Sequence, residues 1–283
     1  MSLRKVTSIY HSFYEPIADL ETVRPIPSPL VDMIDPFLFL NHHGPQNYKP
    51  NNRGLPFGPH PHRGFQTVTF IIEGDIAHRD SAGHESVINA GGVQWMSAGR
   101  GLVHEEISSE KFKKLGGPLE ILQLWINLPA RLKMSEPYYV GLQAEEIPII
   151  YKENKNVEIQ MISGEWEGVK GPFSPSTDIF IQTIKLKRQA KYTIEISEDK
   201  NIFFYVVQGT VQVNGACVEK TNLVEFGNQG HVLDMHGISD ESLVLLCTSK
   251  PNNEPVVSQG PFVMNTETEI RQAIQDFQTG RLK

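Results

Sequence analysis

The chain has 283 residues, a formal net charge of −7 and two cysteines. It is long enough for one large β domain or two ordinary ones, and no tract is low in complexity. That balance argues against a basic nucleic-acid surface, a membrane span or a disulfide-stapled scaffold, and the start lacks the apolar core of a signal peptide. A cytoplasmic protein with reduced thiols follows, Cys217 and Cys247 both falling in apolar, strand-like runs. The run Lys111 to Lys114 reads as a solvated loop.

In chain order, GPHPHRGFQTVTFIIEG (58–74) turns from a histidine-rich opening into strand-like alternation. DIAHRD, ESVINAG and VQWMSAG follow, each bounded by Gly, Asp or Asn, and then LEILQLWINLP, stopped by Pro129. Short β-prone runs with frequent turns indicate an all-β sandwich or barrel. A polar, proline-punctuated stretch around 133–148 separates these from VEIQMISG, DIFIQTIKLK, AKYTIEIS, NIFFYVVQG, TVQVNG, NLVEFG and SLVLLCTS. One helix closes the chain: Thr266 and Glu269 form a capping box, Ile270, Ala273, Ile274 and Phe277 make an apolar stripe, and Gly280 supplies a stop.

The halves repeat each other. FIIEG (70–74) matches YVVQG (205–209), each followed by an alternating strand, a turn and another strand, which argues for two similar β domains. Only the first half carries His60–Pro61–His62; the second has His231 and His236, spaced wrongly for one face of a strand.

Side chains at i and i+2 share a strand face, so His60 and His62 point the same way. In GRGLVHEEIS, His104 and Glu106 repeat that spacing and Glu105 points away. If the intervening strands fold back, three imidazoles and a carboxylate converge. That donor set suits a divalent transition metal (Fe, Mn, Co, Ni, Cu or Zn) with positions left open for chemistry. Either histidine pair alone is as well explained as a surface or capping feature; two same-face pairs in one β region are not.

Further residues carry weaker signals. His78 and His84 bracket a turn and are explained by hydrogen bonding to Asp80. His42 and His43 read as a surface loop or as cover for a pocket mouth. Trp95, Met96, Leu124 and Trp125 read as core or as an apolar pocket lining, with Gln123 beside the metal. Gly99 and Gly101 give a tight turn delivering His104, and Arg63 pairs with an acid at the rim.

The segments HPHRGFQTVTFIIEG, AHRDSAGH, QWMSAGRGLVHEE, LQLWINLP and GPFVMNTETEIRQAIQDF closely resemble the pirin family of the cupin superfamily, from DPFLFL (35–40) to the C-terminal helix. The resemblance implies a bicupin: two stacked jelly-roll β-barrels with a C-terminal helix, a metal-binding cupin over 1–133 and a metal-free cupin over 134–283. It places the metal ligands on His60, His62, His104 and Glu106, with iron, as Fe(II), the usual ion. It further implies quercetin 2,3-dioxygenase activity on a flavonol with dioxygen. The alternatives are a non-enzymatic metal- or redox-sensing regulator that binds a protein partner, and a metal-free small-molecule binder. Where the usual cupin motif has a glutamate this chain has Gln66, which cannot serve as a carboxylate base, so Gln66→Glu is expected to raise turnover.

Overall fold

The computed structural model describes residues 2–282. Alternation and turn residues place strands at Phe65–Glu73, Asp75–Asp80, Glu85–Asn89, Val93–Ser97 and Gly117–Asn127, each overlapping a segment read from the sequence. The same holds in the second half for Val157–Ser163, Ile179–Lys187, Asn201–Gln208 and Glu241–Ser249. At the repeated glycines the chain needs a left-handed residue to reverse: Gly74 has φ +86° and Gly209 has φ +74°.

The strands sort into two compact units, neither contiguous. One comprises residues 14–24, 37–145 and the chain from Asn252 on; the other comprises the chain up to Phe13, residues 25–36 and 146–251. In the first unit, Tyr138–Leu142, Val93–Ser97, Phe65–Glu73, Gly117–Asn127 and Phe37–Tyr48 lie side by side in that order. A four-stranded sheet, Phe57–His62, Leu102–Ile107, Asp75–Asp80 and Glu85–Asn89, completes it as a jelly roll. Ile71, Ile76, Ile88, Leu119 and Ile121 form an apolar core within this unit.

The second unit repeats the plan. Val6–His11, Asn222–Phe226, Asn201–Gln208, Glu241–Ser249, Ile179–Lys187, Val157–Ser163 and Ile149–Lys152 form its large sheet. Lys191–Glu195, Val232–Gly237, Thr210–Val213 and Ala216–Glu219 form the small one.

Ladder partners, not sequence proximity, decide where the unit boundaries fall. Tyr138–Leu142 lies in the stretch that reads as a polar connector, yet it pairs antiparallel with Val93–Ser97. Residues from 252 on, which a cut after 133 leaves with the second half, pair instead with the first: Val263 N–H donates to the Arg63 carbonyl at 3.0 Å. Val6–His11 pairs with Asn222–Phe226 in the other unit.

The closing helix spans Glu267–Gln278, and Thr266 accepts from the Glu269 amide at 3.2 Å as the capping box requires. Ile270 and Ala273 are buried, while Phe277 at the end of the stripe stays 42% exposed. Gly280 follows with φ +70°. Two local readings are corrected. Glu110–Leu115 is a short helix, not a loop, because Ser109 caps it and Phe112 anchors it in the core. Cys217 is exposed, on the solvent side of Ala216–Glu219, while Cys247 is buried.

Candidate metal centre

Strand Phe57–His62 runs antiparallel to Leu102–Ile107, setting His104 opposite His60 and Leu102 opposite His62. The i, i+2 spacing then turns His60 and His62 to one side, and their ring centroids are 4.7 Å apart. His104 joins them at 4.4 Å from His60 and 4.8 Å from His62. One ring nitrogen from each of the three lies within 4.8 Å of the others, and the Nε2 atoms of His60 and His104 are 3.0 Å apart. Glu105 faces the opposite way, toward Arg79. The turn carrying Gly99 (φ +46°) and Gly101 (φ +125°) leads into this strand as the sequence indicates.

Glu106 is buried as well and falls in a second group, with His104 and His78, whose donor atoms again lie within 4.8 Å of one another. Its Oε1 accepts from Thr69 at 3.3 Å and from the Gln94 amide, and its Oε2 accepts from Gln123 at 2.5 Å. Gln123 is thus where the sequence reading puts it. For Thr69, Gln94 and His78 the sequence carries no such signal. Strand parity links Thr69 to Phe65 and Ile71, but parity does not say which inward residue meets a carboxylate.

Burial governs the protonation of these groups. It pushes the His62 imidazolium down to about 3, with repulsion from His60 adding to the effect. His104 is lowered well below the ordinary value, and His60 is lowered too, both mainly by burial. Burial also pushes Glu106 up to about 7, against the three hydrogen bonds that favour its charged form. The imidazoles are therefore neutral near pH 7. His60 Nδ1 lies 2.8 Å from the Gly58 carbonyl and His62 Nδ1 lies 3.4 Å from that of Pro261. A carbonyl only accepts, so these contacts assign the proton to Nδ1 and the lone pair to Nε2. The converging Nε2 lone pairs of His60 and His62, and a buried His104 Nδ1 without a partner, fit a divalent transition ion.

An aromatic wall adjoins the imidazoles. Phe65 lies 4.9 Å and Trp125 5.4 Å from the His62 ring, and Phe39 stacks on Trp125 at 4.5 Å. The Arg24 guanidinium sits 4.8 Å over Phe39 and donates to Asn41 at 3.0 Å. Trp95 pairs with Val68 and Leu124 with Val68 across the ladder, so both alternate to the opposite sheet face from Trp125. Met96 packs with Ala98 and Leu102. His42 bonds Glu120 at 2.9 Å and His43 bonds Thr22 at 2.8 Å; both histidines are buried rather than in a surface loop.

Gln66 requires a correction. It shares its strand face with Val68, opposite Thr69, and its Oε1 accepts from Trp95 Nε1 at 2.9 Å and from Tyr138 at 3.2 Å. It does not line the imidazole cluster, so its lack of a carboxylate is no deficit there. Arg63 does find an acid: its Nη1 donates to Asp276 of the closing helix at 2.9 Å. Together with Pro261 and the buried Lys133 ammonium, which donates to the Gly64 and Val263 carbonyls, the C-terminal segment braces the loop after His62.

Comparison with known proteins places these features in a family. Residues 19–126 match the pirin family model and residues 181–283 that of the pirin C-terminal cupin domain. A pirin-like protein of Caulobacter vibrioides is 36% identical, with 93% of each chain covered. Rattus norvegicus pirin is 36% identical, covering 91% of this chain and 86% of its own. A crystal structure of quercetin 2,3-dioxygenase from Acinetobacter baumannii superposes with a TM-score of 0.93 at 32% identity, over 99% of both chains.

Proposed function

Because this chain belongs to the pirin family, we propose that it is a cytosolic, metal-dependent dioxygenase that opens the ring of a flavonol such as quercetin with dioxygen. The observation that carries this reading is the set of neutral imidazoles of half-buried His60 and buried His62 and His104 beside an aromatic wall. The Acinetobacter relative named for that activity supports it. His60, His62 and His104 would hold the ion, with Glu106 supplying the negative charge next to His104. A divalent transition ion held there supplies Lewis acidity and, where redox-active, one-electron chemistry with dioxygen. Iron is the ion of choice in this reading, with Mn, Co, Ni, Cu and Zn as alternatives.

The chain's own residues do the rest. Thr69, Gln94 and Gln123 hold the Glu106 carboxylate in one orientation through three hydrogen bonds. Glu106, raised to about 7, is poised to take up a phenolic proton from a flavonol hydroxyl near neutral pH. Phe39, Trp125 and Phe65, packed ring against ring, form an apolar wall that excludes water from the imidazole side and suits a planar aromatic substrate lying against it.

Quercetin added in air to protein loaded in turn with Fe, Mn, Co, Ni and Cu tests the reading. The flavonol absorbance should fall as dioxygen is consumed, and His62→Ala should abolish both. Absence of turnover with every metal would overturn the enzyme reading and leave a non-catalytic role.

A further inference from the structure

We propose that Arg24 is the anion-binding end of the substrate site. It would hold an aromatic ligand by a carboxylate or ionised phenol remote from the oxygen directed at the metal. That orientation rests on the dioxygenase reading; the anion position itself does not.

Thr22–Ile26 lies beside Phe37–Tyr48 in the large sheet of the first unit. Arg24 Nε donates to Asn41 Oδ1 at 3.0 Å and Thr22 bonds His43 at 2.8 Å, so these alternate residues of the two strands face one side. Ladder register carries that side on across the sheet. Asn41 stands opposite Gln123, Gln123 opposite Thr69, and Thr69 opposite Gln94. The last three are the residues that hold Glu106. Arg24 therefore begins a polar row whose far members surround the buried carboxylate. The adjacent row is aromatic, with Phe39 opposite Trp125. Guanidinium, Phe39, Trp125 and the His62 imidazole follow one another at 4.8, 4.5 and 5.4 Å.

Stacking on Phe39 alone would make Arg24 an ordinary surface cation. Two further observations go beyond that. Arg24 is half-buried, and among the described residues no carboxylate pairs with it, whereas Arg63 in the same unit meets Asp276 at 2.9 Å. A partly desolvated charge without a counter-charge is costly, and an incoming anion relieves that cost. His43 beside it is pushed down to about 3, mainly by burial, so it is neutral near pH 7 and does not offset the guanidinium.

The second observation is the way the fork is aimed. Nε is committed to Asn41, which is buried, and the guanidinium is held over Phe39. Both Nη groups are left for a bidentate pair with a carboxylate, or for two bonds to a phenolate. The ligand class follows: a planar aromatic body along Phe39 and Trp125, with an acidic substituent at the Arg24 end.

The test compares 3-hydroxyflavone with its 4′-carboxylate, titrated by calorimetry without dioxygen into protein loaded with redox-inert zinc. Wild-type protein should bind the carboxylate about 10-fold more tightly, the gain usual for a hydrogen-bonded charge. Arg24→Gln should erase that preference and leave 3-hydroxyflavone affinity within about twofold. Arg24→Met, which keeps the stem over Phe39, repeats the test if the glutamine variant lowers Tm. Equal affinity of the two flavonols in wild-type protein, or a preference that survives in a folded variant, overturns the anion position and leaves the flavonol reading standing. Failure of both flavonols to bind defeats the flavonol reading instead. The anion position is then decided by 2-naphthoate on metal-free protein, which should bind wild type at least ~10-fold more tightly than Arg24→Gln; equal binding or none overturns it.

Discussion

The two units use the same pair of facing strands for opposite purposes. In one, Phe57–His62 against Leu102–Ile107 turns His60, His62, His104 and Glu106 inward. In the other, Lys191–Glu195 against Val232–Gly237 buries Tyr192, Ile194, Leu233 and Met235 in one apolar cluster. The Tyr192 hydroxyl is satisfied there by Gln182 at 3.0 Å. The jelly roll therefore folds around a largely apolar interior, and the cluster of histidines and glutamate in the first unit is not a requirement of the architecture. Burying such groups costs free energy unless each is paired, which is why Thr69, Gln94, Gln123 and Asp80 accompany them. A polar interior kept against that cost, beside an apolar duplicate, is the reason the proposed chemistry is placed in the first unit.

Three experiments sharpen this contrast. The largest effect is expected from His104→Ala, which removes the ring common to both donor groups. Metal affinity measured by calorimetry should fall by more than ~100-fold, beyond the loss usual for residues behind a ligand. Leu233→Ala in the apolar unit should leave metal content unchanged and cost about 2–5 kcal/mol in urea unfolding. Equal metal loss in both variants would break the contrast.

Next in size is a pH dependence confined to the metal-free protein. Glu106 is raised from 4.5 to about 7 in the folded chain, so the folded state holds its proton more tightly than the unfolded state. Its contribution to stability is fully present below pH 4.5 and is lost as pH rises through 7. Between those limits the loss is about 1.4 kcal/mol for each step of one in pH. Chemical unfolding of metal-free protein should show this decline, and Glu106→Gln should flatten it. The apolar unit has no counterpart among its facing residues. A decline that persists in Glu106→Gln would assign it elsewhere.

The smallest effect is expected from Gln66→Glu. Since Gln66 bonds Trp95 and Tyr138 on the opposite face of its strand from Thr69, flavonol turnover per bound ion should stay within about twofold. Raised turnover would return this position to the metal side and overturn the placement by strand parity.

The architecture and the convergence of the histidines were legible in the chain, for reasons that are local. Alternation announced the strands, FIIEG and YVVQG announced the duplication, and the period of two put His60 with His62 and singled out Glu106 over Glu105. The same period, applied onward from His62, would have counted Gln66 as inward. It fails because the chain reverses at Gly64 (φ +88°), which resets which residues face in. A turn breaks parity, and its effect cannot be counted across in the sequence.

What the sequence by itself determined, then, is the list of strands, the repeat and the donor pairs, because each depends on neighbours one or two residues apart. What only the tertiary structure decided is which donors share a point. Glu106 meets His78 and a cradle of Thr69, Gln94 and Gln123, and the C-terminal segment returns to brace the loop after His62. Those contacts join residues far apart in the chain, and they follow from ladder register and unit closure rather than from any local pattern.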